Sequence, residues 1–114
     1  MNVVTLIGNL ATDVDLRELE GDKRVANFLL AIDRPGSEEA DFVRITVWDK
    51  QAEACARYLV KGRRVAVDGR LRSSSWEEDG KRRSAIEVVA RAVQFLSPPD
   101  TNAVAEVPFE GAAA

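Results

Sequence analysis

Histidine is absent from this chain of 114 residues, and cysteine occurs once, as Cys55. Without an imidazole or a second thiol there is no internal disulfide, no Cys/His zinc set and no histidine base, so most nucleophilic and hydrolytic chemistries lose a required part. Long apolar runs are also missing. The longest, Phe28-Leu29-Leu30-Ala31-Ile32, has five residues, against the roughly 20 needed by a membrane-crossing helix. Met1 leads directly into Val3-Val4-Thr5-Leu6-Ile7 with no basic segment or small-residue cleavage site. No targeting peptide and no membrane contact are therefore expected, and the predicted location is cytoplasmic.

Basic residues are missing from one end only. Residues 97–114 hold Asp100, Glu106 and Glu110 without a Lys or Arg, whereas residues 1–96 hold all 16 basic residues and 16 of the 19 acidic ones. A net charge of -3 thus divides into a neutral body and an acidic tail. The tail opens with Pro98-Pro99 and carries only Val104, Val107 and Phe109 as larger apolar side chains, which predicts disorder over 97–114. The body, 1–96, is the size of one small domain, which has a modest core and gains stability by oligomerising.

Apolar segments at 3–10, 24–33 and 42–48, separated by Gly, Asp, Pro and Ser, read as strands. Asp49 stands where an N-cap would precede Ala52, Cys55, Ala56 and Leu59, an amphipathic stripe, with Gly62 expected to close the helix. Alternation then marks a strand over 63–72, and Asp79-Gly80 marks the turn of a hairpin between 73–78 and 84–89. Five strands with a helix between the third and fourth is the order of an OB-fold, a Greek-key barrel, in preference to an SH3-like barrel.

Period-2 alternation places Val43, Ile45 and Val47 on the core face of the third strand and Phe42, Arg44, Thr46 and Trp48 on the other. Phe42 and Trp48 are then about 20 Å apart, six steps of roughly 3.3 Å, with a guanidinium between them. Aromatic faces that accept any base, together with cations that follow phosphates, are what single-strand binding requires. Packing of Trp48 under the helix and Phe42 at a barrel end is the alternative that pattern alone leaves open. Unless a bulge intervenes, Arg70, Arg72, Ser74 and Trp76 form a second such strip. Arg57, Lys61, Arg63, Arg64, Arg70 and Arg72 against the single acid Asp68 make this stretch locally basic. Asp13 and Asp15, or Glu77, Glu78 and Asp79, lack the base or phosphate loop that would accompany a metal-dependent reaction, and no cofactor is expected. Cys55 falls on the apolar stripe and reads as a buried small hydrophobe.

With those residues placed, the chain from Met1 to Leu96 resembles the bacterial single-stranded DNA-binding protein family. The resemblance rests on Val4-Thr5-Leu6-Ile7-Gly8-Asn9-Leu10 with Asp13, Val25-Ala26-Asn27-Phe28, Phe42-Val43-Arg44 and Trp48-Asp49-Lys50. It continues through Ala56-Arg57-Tyr58-Leu59-Val60-Lys61-Gly62, Val67-Asp68-Gly69-Arg70-Leu71 and Trp76. It implies an OB-fold, a homotetramer, and a non-catalytic role in replication, recombination and repair, associated with the nucleoid. Phe42, Trp48 and Trp76 match the family's stacking aromatics, and Arg17, Arg44, Lys50, Lys61 and Arg72 its basic positions.

Three departures alter what the resemblance implies. Arg34-Pro35-Gly36-Ser37 replaces a stacking aromatic after the second strand, leaving Arg34 to stack through its guanidinium plane. Ser73-Ser74-Ser75 stands where basic residues are frequent, which implies a shallower salt dependence. Glu106-Val107-Pro108-Phe109 resembles the family's partner-docking tip, but Glu110 to Ala114 follow it, so docking of replication and repair proteins is expected to be weakened. The alternative from another class is an OB-fold protein-interaction module, such as a replication-restart accessory protein.

Overall fold

The structure, a computed structural model, describes residues 1–96; the predicted tail and its Glu106, Val107, Pro108 and Phe109 lie outside the described residues. Six strands and one α-helix occur in the order β1 (Val4–Leu10), β2 (Asp15–Leu19), β3 (Lys23–Asp33), β4 (Ala40–Trp48), α1 (Asp49–Tyr58), β5 (Arg64–Glu78) and β6 (Lys81–Phe95). The hydrogen-bonded order is β1-β5-β6-β4-β3-β2, with β1 also pairing β3 through Asn9 and Leu10. That extra pairing closes the five long strands into a barrel, and β2 lies outside the ring as an added edge on β3. Closure removes the exposed edges that a small open sheet would carry. The helix follows the third of the five long strands, as expected for an OB-fold.

The core follows the alternation. Ala26, Phe28 and Leu30 of β3, Ile45 and Val47 of β4, Val65 and Val67 of β5 and Val88 of β6 are buried inside the barrel. Ala52 and Cys55 of α1, with Leu59 just beyond it, join the same cluster. The helix is tied to β6 by Gln51, whose Nε2 donates to the Arg91 carbonyl at 2.7 Å while its Oε1 accepts from the Val93 amide at 3.2 Å. Arg24 of β3 adds an ion pair to Glu53 at 2.5 Å.

Several expectations need correction. β2 was not foreseen, because every residue of Asp15-Leu16-Arg17-Glu18-Leu19 is exposed and the segment has no buried face to create alternation. Asp49 opens the helix with a positive φ of 57° and makes no side-chain cap. Gly62 does not close α1: the Leu59 amide donates to Cys55 O, and Gly62, at φ 97°, sits in a turn in which the Arg63 amide donates to Val60 O. The final hairpin is much longer than expected, running from the 64/95 end to a two-residue turn at Asp79 and Gly80, both with positive φ. A β-bulge at Asp68/Gly69 interrupts its register.

Candidate nucleic-acid interface

Directly paired residues of neighbouring strands share a face of the sheet, so the register defines the candidate surface. Arg17 pairs with Val25 and Val25 with Trp48; Asp15 pairs with Asn27 and Asn27 with Thr46; Leu29 pairs with Arg44 and Ala31 with Phe42. The outer face of β2, β3 and β4 thus carries Asp15, Arg17, Asn27, Leu29, Phe42, Arg44, Thr46 and Trp48 together, with Arg17 and Asp15 in an exposed ion pair at 3.4 Å. Phe42 is 62% exposed and Trp48 half-buried.

The second strip is continuous as well. Beyond the bulge, Arg70, Arg72, Ser74 and Trp76 pair with Val89, Glu87, Ala85 and Arg83, and share one face. Trp76 is 46% exposed, as a ring on a hairpin arm must be when no core lies under it. The two strips meet at Glu87, whose side chain is only 12% exposed. Its Oε2 accepts from Arg72 Nη2 at 2.6 Å and Nε at 3.0 Å, while Oε1 accepts from the Thr46 hydroxyl and lies 3.8 Å from Arg44 Nε. The chain of bonds continues outward: Asn27 Nδ2 donates to Thr46 Oγ1 at 2.9 Å, and Arg44 Nη2 donates to Asn27 Oδ1 at 3.2 Å. Burial alone would raise the Glu87 carboxyl, but the Thr46 hydroxyl and the Arg72 and Arg44 guanidiniums outweigh it and hold the group below the usual carboxylate range.

Two grooves adjoin at Arg44. One is lined by Arg44, Ser74, Trp76, Ala85 and Glu87. The other runs past Arg44, Asn27, Leu29, Thr12 and Arg17. Lys61 stands near the far end of this path, its amide held by Asp13 Oδ1 at 2.8 Å, so Asp13 is occupied in fixing a turn. Arg34 sits at the β3–β4 turn, its guanidinium held by Glu39 at 3.1 Å and by Asp41, the residue before Phe42, at 2.7 Å. Both carboxylates push its pKa up, the Asp41 hydrogen bond foremost. The other two cations lie apart from this path: Lys50 lines a groove between β2 and α1 with Leu16, Arg57 and Tyr58, and Arg70 one with Asn2 and Arg91. Neither is in an ion pair among the described residues, nor is Lys61. Among the described residues no three His, Cys, Asp or Glu side chains gather as a metal-ligand set, and no helix is long and apolar enough to cross a membrane.

The model of the single-strand binding protein family matches residues 1–96 of this chain. The chain belongs to this family. It is 45% identical over 108 residues to the single-stranded DNA-binding protein 2 of Listeria monocytogenes, covering 90% of this chain and 68% of that protein. It is 47% identical over 104 residues to the single-stranded DNA-binding protein of Bacillus cereus, covering 86% of this chain and 61% of that one. The single-stranded DNA-binding protein 3 of Clostridium acetobutylicum is 45% identical over 108 residues, with 90% and 75% covered. The chain therefore spans about three-fifths of the Bacillus relative.

Glu87 is the member of this surface that the sequence reading missed. Its signal was present: counting back from the Asp79-Gly80 turn puts Arg72 opposite Glu87, an opposite-charge cross-strand pair.

Proposed function

We propose that this chain binds single-stranded DNA without reading its sequence, stacking bases on Phe42, Trp48 and Trp76 and meeting phosphates with Arg17, Arg44, Lys61 and Arg72. Arg34, Lys50 and Arg70 extend the basic surface at its margins. The observation that carries this reading is the pair of grooves joined at Arg44, which link Trp76 to Arg17 along one continuous face. Stacking tolerates any base because every base has a π face, and cations add affinity that depends on salt but not on sequence.

The same reading assigns the chain to replication, recombination and repair in the cytoplasm, associated with the nucleoid, as a homotetramer that performs no reaction and holds no cofactor. Partner enzymes would dock on Glu106-Val107-Pro108-Phe109, less firmly than on a tip with nothing after its Phe. Support comes from the family membership, from the relatives' names and from the exposed apolar side chains Ile7, Leu71 and Ile86, which suit association of subunits.

The test is competition binding with a labelled oligo-dT against unlabelled single strands of mixed sequence and a duplex of equal length. Displacement by every single strand and not by the duplex is expected. Equal displacement by the duplex, or no binding, would favour the protein-interaction module.

A further inference from the structure

The single-strand surface holds a negative charge at its centre. Arg44 and Arg72, from different strands, converge on the one carboxylate of Glu87, and the three groups together carry a net charge of +1. The carboxylate is not an incidental surface acid. It is 12% exposed, its partners come from β4 and β5, and it ends a directional chain in which Arg44 donates to Asn27, Asn27 to Thr46 and Thr46 to Glu87. Thr46, the relay's middle member, is 2% exposed and is the one buried polar residue among those described. A polar network whose members each find a partner favours one arrangement of its side chains, while the Arg44 and Arg72 side chains stay open to solvent at 55% and 38% exposure.

We infer that Glu87 is a positioning residue and counter-charge of the single-strand surface, holding Arg44 and Arg72 in fixed orientation beside Trp76 while cancelling one of their two charges. This inference rests on the single-strand reading above. An arriving phosphate meets two guanidiniums already aimed, but the site as a whole attracts one charge's worth of counterion fewer than its arginines would suggest. Glu87 thereby limits how strongly binding depends on salt and leaves a larger share of the affinity to stacking on Trp76. Arg44 from β4 and Arg72 from β5 are the charged neighbours of Glu87 among the described residues.

The experiment is the salt dependence of oligo-dT binding by the full chain and by Glu87→Gln and Glu87→Ala, which remove the charge with and without preserving shape. Each variant should give a plot of log K against log salt steeper than wild type by about 0.7, the increment for one further phosphate on a single strand. Glu87→Gln combined with Arg72→Gln should return the slope to the wild-type value, since the net charge is +1 again. A merely structural role would change affinity or thermal stability and leave the slope alone, and that outcome would overturn the inference. Failure of both single variants to fold, read by circular dichroism, would overturn it as well, because the carboxylate would then be a requirement of the fold. A wild-type chain that binds with variants of unchanged slope defeats this inference alone; a wild-type chain that binds no single strand defeats the functional reading beneath it.

Discussion

Arg72 and Glu87 face each other across the β5–β6 hairpin, with Nη2 and Nε of the one 2.6 and 3.0 Å from a single oxygen, Oε2, of the other. The pair also reaches outside the hairpin, since Oε1 takes the Thr46 hydroxyl of β4. The carboxylate therefore links the hairpin to β4 at the centre of the candidate surface. Because its folded pKa is depressed below the usual 4.5, Glu87 contributes stability that is fully present above that value and is lost as pH falls through the lower folded value. Chemical denaturation at a series of pH values from about 6 to 3 should show wild type losing stability in the acid range. Glu87→Gln, which has no carboxylate to protonate there, should show a flatter acid limb, and parallel limbs would contradict this.

Trp76 stands on the hairpin arm with nearly half its surface exposed, so its ring contributes little to folding. Trp76→Ala is expected to weaken oligo-dT binding by about 1–3 kcal/mol, the range for one stacked base, with little change in thermal midpoint. Calorimetry and binding on the same preparation check both halves. Unchanged affinity would remove Trp76 from the surface.

Gly8 and Gly69 are required by close backbone approach, since a Cβ would lie 2.3 Å from the Ala31 carbonyl oxygen at Gly8 and 2.1 Å from that of Val89 at Gly69. Neither neighbour is a flexible side chain that could swing away. Gly69→Ala and Gly8→Ala should each destabilise the domain by about 1–3 kcal/mol, the usual range for overpacking. Ser84→Ala, at an exposed hairpin position, should change stability little. Denaturant midpoints decide it.

Cys55 is 1% exposed between α1 and the barrel, and burial pushes its thiol up to about 11. The thiolate is the reactive form. A chromogenic disulfide reagent at neutral pH should leave the native protein unlabelled and label it stoichiometrically in denaturant. Rapid labelling of the native chain would place Cys55 elsewhere than in the core.

Most of the barrel could be read from alternation, because β3 and the first part of β5 each bury one face more deeply than the other, and β4 does so up to Thr46, which the Glu87 network buries on the outer side. Val43, Ile45 and Val47 pointed inward and Phe42, Arg44 and Trp48 away from the core, as their spacing required. The exceptions have physical causes. β2 is hydrogen-bonded to β3 yet exposed throughout, so pairing without burial left no hydrophobic pattern to detect. The turn that contains Gly62 depends on Asp13, 48 residues away in sequence, through the Lys61 amide. Local propensity could not supply that contact. Lys50 entered by its match to a basic position of the family and Arg70 by strand alternation, and neither route tells which groove a side chain lines. Glu87 was passed over because an acid within Ile86-Glu87-Val88-Val89 looks like a solvated strand position until the hairpin register sets it against Arg72.

Intrinsic tryptophan fluorescence, titrated with a long oligo-dT at low and high salt beside a duplex of equal length, reports directly on stacking at Trp48 and Trp76. The expected result is strong quenching by the single strand alone, reduced but still present in Trp76→Phe, with an affinity that falls as salt rises. Unchanged fluorescence in the folded protein on adding the single strand would contradict the assignment of this face to base stacking.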